Sequence, residues 1–217
     1  MEGVEDPEAA QAYDRISHWP QFRFLRSLTV REIRRHSPTG TVVDVGCGPG
    51  YLIAVIAKAI PRLHLIGVDI AEEMIATASQ NAMAEGLDGQ VEYRKGDICM
   101  LPFEEGKLDF IVSTLSLHHW SDPGMAFREM HRVLRPGGQF LLFDLRRDER
   151  RWVYWLLRFA QRVIVPSALR RFDEPHGSFL ASYTPTEIKG LMSGAPFRSW
   201  SIRLGLGWMF IWGTKEA

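Results

Sequence analysis

The run Val42-Val43-Asp44-Val45-Gly46-Cys47-Gly48-Pro49-Gly50-Tyr51-Leu52 constrains this chain more than any other stretch. A short buried strand gives way to three glycines spaced by two, and then to the start of an apolar helix. Glycine has no Cβ, so such a turn lets backbone approach a nucleotide-like ligand closely. The spacing is G-x-G-x-G, with Asp44 two residues ahead of the first glycine. A dinucleotide fingerprint requires G-x-G-x-x-G, and a phosphate-binding loop ends in Gly-Lys-Ser/Thr. After Gly48 the next glycine is Gly50 and the next lysine is Lys58, so neither pattern fits.

Strand and helix signals alternate beyond this turn. Strand signals fall over 42–45, 64–68, 91–95, 108–114 and 139–144. Helical spacing predicts helices over 51–59, 71–85 and 122–133, the last closed by Arg135-Pro136-Gly137-Gly138. Such alternation gives an α/β fold with a parallel sheet and helices on both faces. Strands nearly continuous in Val, Ile and Leu fit burial on both sides. Thr184-Pro185-Thr186-Glu187 reads as a capping box with Pro at the first helical position. Strands over 198–204 and 208–213 follow, joined by Gly205-Leu206-Gly207, a connection so short that one strand must run antiparallel.

At 217 residues, 46% hydrophobic and 24% charged, the chain has the size and balance of one globular domain. Its 26 basic and 26 acidic residues cancel, which leaves no global field to recruit nucleic acid. Cys47 and Cys99 do not make a disulfide framework, and a reducing cytoplasmic setting is the simplest context. The acidic N-terminus (Glu2, Glu5, Asp6, Glu8) has the wrong charge for a signal peptide. No apolar run reaches the ~18 residues that cross a bilayer. No metal site is expected: His118 and His119 are adjacent, and no C-x-x-C or H-x-x-x-H spacing occurs.

Further motifs follow in order: Gly67-Val68-Asp69 with Met74; Gly96-Asp97-Ile98 with Leu101-Pro102-Phe103; Leu117-His118-His119-Trp120-Ser121-Asp122-Pro123; and Arg132-Val133-Leu134-Arg135-Pro136-Gly137-Gly138. With the glycine turn, they make residues 40–145 resemble the class I S-adenosylmethionine-dependent methyltransferases. The likeness is to the ubiquinone- and menaquinone-biosynthesis-type branch (methyltransferase type 11). Tyr13-Asp14 and Ser182-Tyr183-Thr184 match more loosely. The resemblance implies a Rossmann-like, seven-stranded, mostly parallel sheet with one antiparallel strand. It implies a single domain over 1–217, with an N-terminal helical lid (1–38), a cofactor-binding core (40–145), a substrate-cover insertion (146–183), and a last helix and hairpin (184–217).

S-adenosyl-L-methionine is then the expected cofactor, and S-adenosyl-L-homocysteine its product. Asp44 is expected to fix the turn or bind the methionine end, over the seat formed by Gly46, Cys47, Gly48 and Gly50. Asp69 ends the second strand, where a carboxylate can accept both ribose hydroxyls, with Ile70 and Met74 beside it. Asp97 can accept the adenine amine, with the amide of Ile98 nearby. Thr114 and Leu115 close the fourth strand against the methionine part, and Tyr13 is a further expected contact. A lone Asp at a strand end is usually a cap or turn former. Three at successive strand ends are much harder to reach by accident.

The sulfonium methyl is already activated, so a protein of this kind mainly orients the reactants and excludes water. A base helps where the acceptor is a phenol or an acidic carbon. His119 is the preferred candidate, against an architectural role for the histidine pair. Asp144 ends the fifth strand and can face substrate or pair with a following arginine. Tyr13, His18 and Trp19 can belong to a lid or to simple helix packing.

Residues 146–171 carry eight arginines and two acids, with Trp152, Leu156, Phe159 and Val163 on one helical face. Three readings stay open: a lid over an apolar acceptor pocket, a face resting on an anionic membrane through 150–171, or a dimer contact or solvated surface helix. Nucleic acid is disfavoured because the fourth strand ends in Thr114-Leu115-Ser116-Leu117, not in the Asn/Asp-Pro-Pro-aromatic signature of base-amino methyltransferases. The sequence therefore predicts methyl transfer to a small apolar or aromatic acceptor, with a membrane-surface quinone-type C-methyltransferase as alternative. A non-catalytic cofactor-binding module and an NAD-dependent oxidoreductase are the rivals from other classes.

Overall fold

The computed structural model describes residues 14–15, 17–148 and 176–216. Its strands are β1 (Thr41–Val45), β2 (His64–Asp69), β3 (Val91–Lys95), β4 (Leu108–Thr114), β5 (Leu134–Leu145), β6 (Ser199–Leu204) and β7 (Trp208–Thr214). They form one seven-stranded sheet in the order β3-β2-β1-β4-β5-β7-β6. Neighbours from β3 to β5 are parallel. β7 is antiparallel to both β5 and β6, as the short 205–207 connection requires. Strand order reverses between β1 and β4. The carboxyl ends flanking that switch point are where an open α/β sheet leaves a crevice.

The helices are α1 (Pro20–His36), α2 (Tyr51–Ala59), α3 (Glu72–Ala84), α4 (Pro123–Val133), α5 (His176–Ala181) and α6 (Pro185–Gly194), with a 3-10 turn at Leu117–His119. Strand side chains alternate between faces, and adjacent residues accordingly join different cores. Val43, Ile66, Val68 and Ile111 pack with Phe127 and Met130 of α4 and Ile188 of α6. Val42, Leu65, Phe110 and Val112 pack with Ile53 and Ile56 of α2 and Leu28 and Ile33 of α1. Thus α1, which lies in the segment expected to be a lid, is a core helix. Phe127 is fully buried, and truncating such a residue to Ala costs about 3–5 kcal/mol.

Local chemistry sets the helix ends. The Asp122 side chain accepts from Met125 N at the start of α4. Thr184 and Glu187 form the expected capping box at the start of α6. One boundary differs from the sequence reading. The strand predicted over 139–144 begins at Leu134, so Arg135–Gly138 lies inside β5. Leu134 pairs with Leu108 and Gln139 with Phe110, which leaves 135–138 as an irregularity in the ladder. Gly137 N donates to Lys215 O (2.8 Å) and Lys215 N to Gly138 O (2.9 Å). Pairing with the stretch after β7 holds this segment extended.

Candidate active site

The turn after β1 is built by the end of β2. Gly46 N and Cys47 N both donate to Val68 O (2.8 and 3.1 Å), which bends the chain out of the sheet. Gly46 has φ of 71°, and a Cβ there would lie 2.4 Å from Ser116 Oγ, so the turns after β1 and β4 touch. Gly48 has φ of 52°, but a Cβ on it would meet nothing within 4 Å. The two glycines therefore serve different ends: Gly46 admits a protein neighbour, and Gly48 presents open backbone to the crevice. Gly50 is the left-handed N-cap of α2. The Cys47 side chain is buried, and burial raises its thiol pKa well above the ordinary value.

Three carboxylates line the strand ends. Asp44 is 1% exposed, and neither of its oxygens has a hydrogen-bond partner. Burial, then the nearby Asp69 charge, pushes it up to about 8. A buried polar group left unpaired is costly, so this pair of acceptors marks a place built for a cationic or donor group. Asp69 Oδ2 accepts from Gly48 N (2.8 Å) and Oδ1 from Ala71 N (3.0 Å). Burial raises its pKa, and these amides work against the rise. Each carboxylate oxygen has a second lone pair, so Asp69 can still accept from a vicinal diol. Asp97 Oδ1 accepts from Cys99 N (2.8 Å) at the end of β3. The Ile98 side chain sits in the core, Ile70 is exposed and Met74 is buried at the start of α3. An orphaned buried carboxyl that a cation would ionise, an open glycine backbone and a carboxylate beside it fit a group carrying an ammonium and a ribose.

The end of β4 closes the crevice. Thr114 pairs with Phe143, and Leu115 takes φ of 55° while its N donates to Phe143 O (2.8 Å). A left-handed non-glycine residue is strained and clusters at functional sites. Ser116 Oγ accepts from Trp120 Nε1 (3.1 Å). Among the described residues Asp144 pairs with His118 and with no arginine. Its Oδ1 lies 2.7 Å from His118 Nδ1, and its Oδ2 accepts from His118 N (3.1 Å). Arg146 instead pairs with Asp148, and Arg147 reaches Ser182 O and Glu187. The His119 ring packs against that of His118 at a tilt of 46°, with centroids 4.1 Å apart. Burial, then the neighbouring His118, lowers its pKa to about 4, against the pull of Asp144. The preferred base is therefore neutral at pH 7 and only weakly basic.

Asp44, Gly46, Cys47, Gly48, Gly50 and Asp69 thus gather at one turn, with Thr114 and Leu115 across it. Asp97, Ile98, Ile70 and Met74 belong to the neighbouring strand ends. Tyr13 and residues 149–175, with their Trp and Arg faces, lie outside the described residues. Sequence reading missed a second polar cluster, in which Tyr51 Oη lies 2.8 Å from Asp14 Oδ1 and 2.7 Å from His18 Nε2. Asn81 Nδ2 donates to Asp14 Oδ1 (3.1 Å) and Pro49 O (3.0 Å). The loose Tyr13-Asp14 match and the lid reading of His18 pointed towards it, but neither linked them to Tyr51 or Asn81. Among the described residues there is no group of three or more His, Cys, Asp or Glu placed to hold a metal ion. None of their helices is long and apolar enough to cross a membrane.

A family model described as a methyltransferase domain matches residues 43–142. A demethylmenaquinone methyltransferase of Bacteroides fragilis is 24% identical over 198 residues, covering 90% of this chain and 80% of the relative. A malonyl-[acyl-carrier protein] O-methyltransferase of Erwinia billingiae is 30% identical over 176 residues, 79% of this chain and 66% of the relative. The crystal structure of a putative S-adenosyl-L-methionine-dependent methyltransferase from Methanococcus maripaludis superposes with a TM-score of 0.76 at 22% identity. It covers 100% of this chain and 96% of that one. Motif order, strand order and these likenesses agree: the chain belongs to the class I S-adenosylmethionine-dependent methyltransferases, in their type 11 branch.

Proposed function

We propose that this enzyme methylates a small apolar or aromatic acceptor whose reacting atom sits beyond the end of β4, beside His119. The observation that carries the reading is the strand-end arrangement itself. Asp44 and Asp69 flank the open backbone of Gly48, and His118 and His119, packed ring against ring, stand at the next strand end.

S-adenosylmethionine supplies an electrophilic methyl on a sulfonium sulfur. In our assignment Asp44 takes its ammonium, Asp69 its ribose diol, and Asp97 with the Ile98 amide its adenine. Thr114 and Leu115 then run along the methionine part, which leaves the methyl facing the Leu117–His119 turn. Asp144 holds His118 by ring and backbone N–H at once, so the histidine pair is fixed before substrate arrives. A neutral His119 orients an acceptor hydroxyl by accepting its hydrogen bond, one part of a reactant orientation that as a whole contributes roughly 7–11 kcal/mol. The apolar character rests on the Trp-, Leu- and Phe-rich 146–171 sequence and on Leu180. That side chain is 51% exposed on α5, which packs against the histidine turn.

A second reading, quinone-type C-methylation at a membrane surface, is favoured by the demethylmenaquinone methyltransferase relative. Incubation with methyl-labelled cofactor tests both. The acceptor panel would hold simple phenols, prenylated and unprenylated quinols, and a malonyl thioester on a carrier protein. Label in phenols or short quinols supports the first reading, and label confined to prenylated quinols in vesicles supports the second. Label only in the carrier thioester overturns both. No label in any acceptor leaves a cofactor-binding module.

A further inference from the structure

Charge cancels over the whole chain but not over its surface. The helix α1 carries five arginines and a single acid, Glu32. At one residue per 100° of turn, Arg23, Phe24, Ser27, Arg31, Arg34 and Arg35 fall within one arc of about 120°. All of them are exposed. Leu25, Thr29 and Ile33 fill the opposite side and face the core. Glu32 lies outside the arc, is 4% exposed, and is engaged by Arg35 and Arg203. The outward face of α1 is therefore basic, with no acid of its own helix to balance it.

These charges are available to a partner. Among the described residues, Arg23 and Arg31 form no ion pair. Arg34 donates one N–H to Ala59 O (3.0 Å) and keeps its charge. With Arg62, Ser37 and Pro38 it lines an open cleft of about 360 Å³, which extends the basic stripe past the end of the helix. Phe24 is 64% exposed in the midst of these guanidinium groups. A ring so placed gains burial where a lipid headgroup layer meets acyl chains, while the arginines meet the negative charge of that layer. A nucleic-acid duplex offers phosphates but no apolar layer for the ring. The position of the helix also matters. Arg26, on another side of α1, lies over the Tyr51 ring at 5.3 Å, and Tyr51 directly follows the glycine turn. The end of α1 that carries Arg23 and Phe24 is thus the end beside the cofactor crevice.

We propose that the outer face of α1 docks this enzyme on an anionic lipid bilayer, with Arg23, Arg31 and Arg34 on the headgroups and Phe24 entering the layer beneath them. The surface is separate from the 146–171 sequence, and it holds whichever acceptor is methylated. Each arginine close to a negatively charged leaflet strengthens binding about fivefold, so a few of them with one inserted ring give a reversible attachment.

The test is flotation of the full chain, without cofactor or acceptor, on vesicles of phosphatidylcholine and on vesicles with a third of it replaced by phosphatidylglycerol. Wild type should bind the mixed vesicles alone, and less tightly as salt is raised. The Arg23→Gln/Arg31→Gln protein should bind them about 25-fold more weakly, the product of two fivefold losses. Arg23→Lys/Arg31→Lys keeps the charge and should retain most of the binding. Phe24→Ser should weaken binding about fivefold or more, and should do so in high salt too, because salt does not screen apolar burial. All these side chains are exposed, so melting temperature and S-adenosylhomocysteine affinity should match wild type in each variant. Wild type that ignores mixed vesicles, or binds phosphatidylcholine equally well, overturns the proposal. So does binding that survives the Gln pair, which places the contact elsewhere on the chain, or equal losses in the Gln and Lys pairs. Tighter binding to duplex DNA than to mixed vesicles in the same buffer overturns the choice of a lipid surface.

Discussion

Replacing Asp44 by Asn should make the ligand-free enzyme more stable while spoiling its cofactor site. Asp44 is 1% exposed with both oxygens unpartnered, and its pKa is raised from 3.8 to about 8. Between those values the folded protein holds a proton that the unfolded chain has given up. Stability is therefore full below pH ~4 and falls as pH rises through that window, until Asp44 ionises near pH 8. At pH 7 the span above 3.8 is about three units, and at about 1.4 kcal/mol each the penalty is roughly 4 kcal/mol. Asn removes it but brings amide donors that are themselves unpaired, a cost of about 1–3 kcal/mol. The net gain is then about 1–3 kcal/mol at pH 7, or ~2–4 °C in Tm per kcal/mol for a chain of this size. Thermal unfolding at pH 5, 6, 7 and 8 reads this out. Wild type should lose Tm steadily from pH 5 to pH 8. The Asp44→Asn protein should lose much less, and it should bind S-adenosylhomocysteine more weakly. A variant less stable than wild type at pH 8, or one with the same pH slope, refutes the argument.

Other outcomes follow from the same geometry. If the cofactor ammonium pairs with Asp44, binding at pH 7 must release about one proton, because the carboxyl is protonated beforehand; calorimetry in two buffers of different ionisation enthalpy would show none if the pairing is wrong. Gly46→Ala meets Ser116 at once and should cost roughly 2 kcal/mol or more of stability from clash and left-handed backbone together. Gly48→Ala has open space and should cost only about 1–2 kcal/mol of backbone strain while weakening S-adenosylhomocysteine binding; equal stability losses in the two variants would contradict the division of labour. His119→Ala should lower kcat by about tenfold, the loss of one hydrogen bond that orients the acceptor, with cofactor affinity unchanged. An undiminished kcat would leave His119 an architectural residue.

Much of the central sheet was legible because β1, β2, β4 and the end of β5 are buried on both faces, so they appear as apolar runs with sharp edges. The segments 91–95 and 108–114 coincide with β3 and β4, and Tyr51–Ala59 ends where Pro61 demands. Arg135–Gly138 was misread for a physical reason. A left-handed Gly137 closes a helix or kinks a strand equally well, and what decides is pairing with Lys215, far along the chain. The glycine turn and the three strand-end carboxylates were legible because each sits at a local strand-to-helix junction. The partnership of Asp144 with His118 was not, since it depends on how β4 and β5 register. Asp14, Tyr51 and Asn81 come from three separate elements, and Asn81 looks like any polar residue on an amphipathic helix.

Calorimetric titration with S-adenosylhomocysteine tests the central claim most directly, comparing wild type with Asp69→Ala and NADH as the competing ligand. Wild type should bind S-adenosylhomocysteine one to one and ignore NADH. Asp69→Ala should bind about tenfold or more weakly, having lost a charged acceptor for two hydroxyls. Binding of NADH in place of S-adenosylhomocysteine, or an Asp69→Ala variant with wild-type affinity, would contradict it.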